Sequence, residues 1–446
     1  MVGACAPVRV APPAPSPAIV VPSADAAPPL SVAPEVSARL TIARTADSAL
    51  HDPKFRTAAW GALIVDPATG DTLYSLNPRK LVMPASNMKV ITGAVALHLL
   101  GPDFRFRTTL AARCDAARRC SELLVSGRGD PTVSARFHSD PLVPLRGIGD
   151  SLRARGISGF TGPIIASGDA FPGSIHGYGW ENDDLGEDYG AGIDDLVFND
   201  GLEAIEMLTA SGPAIESAKP ASDPRQAYLK ALSVALRQRG ITHDGIVTSD
   251  SGRAAASIAA ETLFVMQSPP LSEVLGAMLK PSQNQIAEII LRTIGLERTG
   301  VGRADSGAAV VRRQLLEWGA DTMEFSIRDG SGLSRHNYVT PATMVRVLSV
   351  MQRHPHATVF YEALPAVGVS GTVQGWLRGT SAEGNAHGKT GTLGAVRAFS
   401  GYVRTAGGAT LIYSFICNNF LVSTSAVTAA IQTMVRLMAE SPYPAR

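Results

Sequence analysis

The sequence predicts an α/β (α+β) fold, with helices packed on an antiparallel sheet and one domain split by a large insertion. A helix and a strand pair open the globular part, and strands followed by a helix close it. The middle has a different texture, with short strands and Gly-rich turns. A discontinuous domain interrupted by an insertion accounts for all three observations. The expected parts are a Pro/Ala-rich tether over 1–35, a domain assembled from 36–102 plus 266–446, and a mainly β insertion over 103–265.

Ala, Pro, Val and Ser dominate Val2–Pro34, which cannot supply a core and predicts an extended tether. Val2-Gly3-Ala4-Cys5 has the form of the end of a bacterial lipoprotein cleavage box, the remnant that a start placed too late would leave. The alternative is an incidental cysteine in a tail. Apolar residues at helical spacing predict a helix over Val36–Ala49. Ala58–Asp66 and Asp71–Leu76 flank Pro67-Ala68-Thr69-Gly70, giving a strand, a turn and a returning strand. Asn87–Leu100 follows Pro84 and stops at Gly101-Pro102, the boundaries of a helix.

Between Phe104 and Val265 the helical segment Gln226–Arg239 stands among short strands, and the acidic, aromatic stretch Tyr178–Asp195 reads as loops. Cys114 and Cys120 flank a hairpin turn, where two cysteines can face each other across the strands. A bridge there would imply an oxidising compartment; the alternative is a pair of free surface thiols. After Pro269-Pro270, helices are expected over Leu271–Lys280, Asn284–Leu296 and Gly307–Trp318. Strands follow at His387–Leu393, Ala398–Arg404 and Thr410–Phe420, with Cys417 a buried core residue, and a helix at Ser425–Glu440 ends the pattern.

The chain has 446 residues, 45% of them hydrophobic, enough for two or three domains with sizeable cores. Forty Lys+Arg against thirty-nine Asp+Glu leave a polyanion-binding surface unsupported, so nucleic acid is not an expected partner. No apolar run approaches the roughly 18 residues of a membrane span. His98, His336, His354 and His356 show no metal-ligand spacing, and neither metal nor cofactor is expected.

Three short islands carry the chemistry: Ser86-Asn87-Met88-Lys89, Ser282-Gln283-Asn284 and Lys389-Thr390-Gly391-Thr392. In this order they form an S-x-x-K, S-x-N, K-T-G set. Serine needs a base to take its proton, and on a helix residue i+3 shares its face, so Lys89 would lie beside the Ser86 hydroxyl. A helix start also aims free N–H groups at that point, although a serine there can equally be a plain N-cap. Lysine serves as a base only when burial or a second cation lowers its pKa, and Lys389 could be that cation. Ser282 and Asn284 stand in a turn before a helix, where they could relay a proton and anchor the lysine, or merely cap the helix. Lys389–Thr392 lies on an expected strand to which a peptide could add main-chain hydrogen bonds, with Gly391 permitting close approach and Lys389 and Thr390 holding a carboxylate. About 190 residues separate the first two islands, enough for an extra domain.

With Gly127-Arg-Gly-Asp-Pro131, Asp329-Gly-Ser-Gly-Leu-Ser-Arg335 and His387-Gly-Lys-Thr-Gly-Thr-Leu393 added, the chain from about 36 to 440 resembles the class C low-molecular-mass penicillin-binding proteins, the D-alanyl-D-alanine carboxypeptidases/endopeptidases of bacterial cell walls. The resemblance implies a β-lactamase/transpeptidase-like domain and assigns roles. Ser86 forms the acyl-enzyme, Lys89 is the acylation base, Ser282 relays a proton with Asn284 in support, and Lys389 serves electrostatics. The backbone N–H groups of Ser86 and Thr392 form the oxyanion hole. Arg335 and an aspartate of the insertion, for which Asp169 is the candidate, grip the polar end of a diaminopimelate side chain. Expected partners are peptidoglycan stem peptides and β-lactam antibiotics as covalent inhibitors, in a periplasmic or extracytoplasmic setting, with Cys5 the candidate for a lipid anchor. The alternatives are a β-lactamase and a catalytically silent cell-wall binding protein. Ser-Gln-Asn in place of Ser-Asp-Asn, and the long insertion, speak against the first.

Overall fold

A computed structural model describes residues 34–203, 219–248 and 260–445. Cys5 and the expected tether up to residue 33 lie outside the described residues, whereas Pro34 and Glu35 already belong to the first helix. The chain opens with α1 (Pro34–Leu50), β1 (Ala59–Val65), β2 (Thr72–Leu76) and α2 (Met88–Leu100). The middle holds β3 (Arg107–Cys114), β4 (Cys120–Gly127), α3 (Val143–Ala154), β5 (Ile164–Ala166), β6 (Leu202–Glu203), β7 (Lys219–Pro220), α4 (Pro224–Gln238), β8 (Ile246–Val247) and β9 (Glu261–Gln267). Then come α5 (Leu271–Leu279), α6 (Asn284–Thr299), α7 (Ala304–Glu317), β10 (Phe325–Ser326), β11 (Tyr338–Val339), α8 (Pro341–Gln352) and α9 (Ala357–Ala363). The last elements are β12 (His387–Leu393), β13 (Val396–Arg404), β14 (Thr410–Asn418) and α10 (Thr424–Glu440).

The main sheet runs β12-β13-β14-β1-β2, antiparallel throughout, so strands from the two ends of the chain meet where β1 pairs with β14. Alternate side chains of a strand face opposite ways, and β14 shows the consequence. Leu411, Tyr413, Phe415 and Cys417 enter one core with α1 and α10, while Ile412 and Ile416 enter another with α2, α5, α6, α7 and α8. Each fully buried aliphatic or aromatic side chain contributes roughly 1.5–3 kcal/mol. Cys417 is buried, as its apolar surroundings require.

The second sheet runs β8-β5-β4-β3-β9. Within the expected mainly β insertion, two helices support this sheet. β4–β5 and β5–β8 are parallel pairs, and parallel neighbours need a crossover. α3 and α4 stand between those strands in sequence, and Leu145, Ile148, Leu152, Leu229, Leu232 and Leu236 fill the core against Leu123, Val125 and Ile164. The hairpin β3–β4 brings Cys114 opposite Cys120, and the two form a disulfide.

Candidate active site

The nucleophile island sits at the mouth of the most buried helix. α2 is covered on nearly every side, from Met88 to Leu97, because it lies between the main sheet and the helical layer. A tight turn over Ala85–Asn87 precedes it, with Ala85 at φ 47°, a left-handed conformation unfavourable for a residue with a side chain. Gly332 (φ 85°) presses against this turn: a Cβ there would stand 1.9 Å from the Ala85 carbonyl oxygen. The turn is thus clamped between α2 and the Asp329–Arg335 segment.

Lys89 is fully buried, and its ammonium nitrogen has three neighbours. Nζ donates to Asn284 Oδ1 at 2.6 Å and to the Ser331 carbonyl at 2.8 Å, and lies 2.9 Å from Ser86 Oγ. The first two partners are pure acceptors, which occupy two N–H groups. A neutral amine has one lone pair left, and it points at the Ser86 hydroxyl. Burial pushes the Lys89 pKa down to about 7, against the opposing pull of the Asp329 and Glu288 carboxylates.

Each partner of Lys89 is itself fixed. Asn284 begins α6 and donates Nδ2 to the Tyr189 carbonyl at 2.9 Å. Ser331 is held by Glu288, one turn further along α6, whose Oε1 accepts the N–H groups of Gly330 and Ser331 at 3.0 and 2.8 Å. Burial raises the Glu288 pKa, and the neighbouring Asp329 adds to it. Asp329, fully buried, organises the rest of the segment by accepting from Gly332 N, Ser334 N, Asn337 Nδ2 and Trp180 Nε1 at 2.6–3.0 Å.

Lys389 is the second buried cation. Its Nζ lies 2.9 Å from Ser282 Oγ and donates to the Thr390 carbonyl at 2.8 Å. Burial, and then the charge of Lys89, hold its pKa well below the usual lysine range. Ser282 adopts φ 69°, another strained position beside the reacting groups. β12 is the edge strand of its sheet, and Asn87 Nδ2 ties it to the nucleophile turn by donating to the Lys389 carbonyl at 2.8 Å. Thr390 and Thr372 share a hydroxyl hydrogen bond of 2.7 Å. A cleft of about 330 Å³ joins the parts: Ser86, Ser282, Asn284, Arg335 and Thr392 line it, with Asp184, Tyr189, Leu333 and Leu393.

Asp169 is not among these residues. Its carboxylate meets Arg225 at 3.0 Å, and Arg225 also binds Asp195 at 3.0 Å and Asp194 at 3.3 Å. The three carboxylates gather around one guanidinium, which explains their closeness without a metal. Asp184 occupies the cleft instead. It is buried, its Oδ1 accepts from Tyr189 at 3.2 Å, and its Oδ2 has no hydrogen-bond partner among the described residues. Sequence reasoning missed it because Tyr178–Asp195 carries seven acidic residues with no periodicity to single one out. Arg335 forms an ion pair with Glu181 from that same loop.

Gly391 offers a direct test of this packing. A Cβ there would stand 2.4 Å from the Pro84 carbonyl and 3.1 Å from the Asn87 nitrogen, both backbone atoms of the nucleophile turn. Gly391→Ala must displace strand or turn, and misplacement of about 1 Å can cost 100-fold. Stopped-flow acylation by a penicillin should slow by about that factor; a rate within about twofold of wild type would show the turn to be compliant.

A family model described as D-Ala-D-Ala carboxypeptidase 3 (S13) matches residues 42–222 and 208–441. The chain is 33% identical over 430 residues to a D-alanyl-D-alanine carboxypeptidase of Actinomadura sp. (strain R39), covering 82% of this chain and 79% of that protein. Penicillin binding protein 4 of Haemophilus influenzae superposes with a TM-score of 0.75 at 20% identity, covering 90% of this chain and 99% of that one. A structure of the same protein complexed with a β-lactam gives a TM-score of 0.69 at 20% identity, covering 87% and 97%. These likenesses establish a shared fold, that of penicillin-binding proteins.

Proposed function

The chain belongs to the D-Ala-D-Ala carboxypeptidase 3 (S13) family, a serine peptidase acting on peptidoglycan, and from that premise we propose that Ser86 is its nucleophile. The observation that carries the reading is the coordination of Lys89, with two N–H groups spent on pure acceptors and the remaining position aimed at the Ser86 hydroxyl. Lys89 takes the Ser86 proton as Oγ bonds to the carbonyl carbon of the penultimate D-alanine. The N–H groups of Ser86 and Thr392 receive the oxyanion. Collapse breaks the C–N bond, and the departing D-alanine amine collects its proton through Ser282. Water then hydrolyses the acyl-enzyme.

The terminal carboxylate sits at Thr390, Gly391 and Thr392 near Lys389, whose pKa such an anion would raise again. Arg335 and Asp184 face the polar end of the stem-peptide side chain, with Asp184 in the place first expected for Asp169. β-Lactams acylate Ser86 because their amide mimics the scissile bond. The two sheets, one from 59–76 plus 387–418 and the other from 107–267, support a catalytic domain of 36–102 plus 266–446 interrupted by 103–265. The Cys114–Cys120 disulfide supports a periplasmic location, and anchoring through a lipidated Cys5 fits the same setting. Among the described residues no helix is long and apolar enough to cross a membrane.

Incubation with a fluorescent penicillin, followed by label retention and D-alanine release from a stem pentapeptide, tests the reading. Durable label with D-alanine release is the expected result. Rapid loss of label without D-alanine release would make the chain a β-lactamase, and no label would remove Ser86 from the mechanism.

A further inference from the structure

The acyl-transfer cleft leaves unused a set of arginines on a neighbouring face. A cavity of about 770 Å³ opens there between the Pro172–Tyr178 segment, the start of α7 and Phe325–Arg328. Arg292, Arg303, Arg312 and Arg328 line it against a single carboxylate, Asp305. Asp305 is engaged by Arg303 at 3.0 Å. Arg312 lies over the Phe325 ring at 5.5 Å and Arg328 over the Tyr178 ring at 5.6 Å, and among the described residues neither guanidinium has a carboxylate within ion-pair reach.

Arg292 is the unusual member. It is 2% exposed, burial holds its pKa below the usual arginine value against the opposing pull of Glu288 and Asp194, and it donates Nη2 to the Ser174 carbonyl at 2.7 Å. Its Nε is a buried donor with no acceptor among the described residues. A buried charge is costly, and an anion in the cavity that Arg292 lines would offset the positive charge gathered there. At the first turn of α7 the N-cap residue, Arg303, supplies no side-chain cap, and Asp305 Oδ1 accepts from Ser306 N at 2.8 Å, leaving the N–H groups ahead of it to add to the site. Tyr178 stands at the rim, 64% exposed. Its ring meets His336 at 5.6 Å, and the residue before His336, Arg335, lines the catalytic cleft.

We infer that this cavity is a second ligand site, one that binds an oxyanion, and that the free carboxylates of peptidoglycan stem peptides supply it. The general chemistry, a carboxylate or phosphate met by several guanidinium groups, follows from the site alone. The stem-peptide source rests on the peptidoglycan reading above. A crosslinked peptide long enough to leave the cleft past Arg335 and His336 brings its further carboxylates to Arg328 and Arg312.

The test is calorimetric titration of the full chain carrying Ser86→Ala, with and without Arg312→Gln plus Arg328→Gln. Three probes are used: a crosslinked muropeptide with free side carboxylates, the same muropeptide with those carboxylates amidated, and inorganic phosphate. Loss of two cations should weaken the free-acid muropeptide about tenfold and flatten its salt dependence, and leave the amidated one unchanged. If only phosphate binding falls, the oxyanion site stands and its source is a phosphate-bearing ligand. If no probe responds to the arginine pair, the inference is overturned. With Ser86 intact, the double variant should still acylate with penicillin at the wild-type rate, which verifies the fold. Absence of labelling in the wild type would defeat the acyl-enzyme reading separately, with the phosphate arm still deciding the cavity.

Discussion

Ser86→Ala should abolish covalent labelling by a fluorescent penicillin and lower D-alanine release by roughly 10⁴-fold or more, with the folded state intact. The size follows from covalent catalysis: without Oγ no acyl-enzyme forms, and the oxyanion donors and substrate contacts can supply only the residual rate. Stability should barely change. Ser86 Oγ meets Lys89 at 2.9 Å, but Asn284 Oδ1 and the Ser331 carbonyl remain to hold that nitrogen, so no buried donor loses its last partner. Thermal unfolding of the variant should lie within a few degrees of wild type. Persistent labelling in a folded variant would mean that another nucleophile reacts.

How much of this was readable in the chain depends on the range of the interaction involved. Ser86 and Lys89 are coupled by one turn of helix, and Ser282 and Asn284 by two positions in a turn, so spacing alone carried their relation. The strands β12, β13 and β14 were likewise legible as short runs rich in apolar, β-branched and aromatic residues bounded by turn residues, since a strand buried on both faces reads as a nearly continuous apolar run. The missed features are tertiary. Glu288 matters because its side chain reaches the Gly330 and Ser331 amides from a different element, and nothing within α6 marks it. Asp184 is distinguished from its acidic neighbours only by where the loop is tied, through Tyr189 and Asp188 carbonyls bound by Asn284 and Gln285. Two helices were legible in retrospect. Leu145, Ile148 and Leu152 have helical spacing in α3, and Thr340-Pro341 is a capped start for α8, with the Thr340 side chain accepting from Thr343 N. Pro144, Gly147 and Gly149 within α3 obscured the first.

Lys89→Met should cost about 10³-fold in penicillin acylation, within the range by which a positioned general base accelerates proton transfer. Methionine keeps the length of the side chain in a fully buried site, so the loss is chemical rather than a collapse of packing. The wild type should also carry a pH signature that the variant lacks. Lys89 titrates at about 7 because burial disfavours its charge. Below that pH the nitrogen is an ammonium with no lone pair for the Ser86 proton, so the acylation rate should fall about tenfold per unit of acidification. Above it the amine is free and the rate should level off. Glu288→Gln sharpens the assignment, since a carboxylate near Lys89 favours its charged form and raises its pKa. Glutamine keeps an acceptor for the Gly330 and Ser331 amides while removing the charge, so Lys89 should titrate lower and the acid limb should move to lower pH. The rate–pH profile of penicillin acylation, measured on wild type, Lys89→Met and Glu288→Gln, decides the matter. An acid limb that survives in Lys89→Met would assign the base to another group. A limb that stays in place in Glu288→Gln would show that the Glu288 carboxylate is protonated in the working enzyme and does not set the lysine.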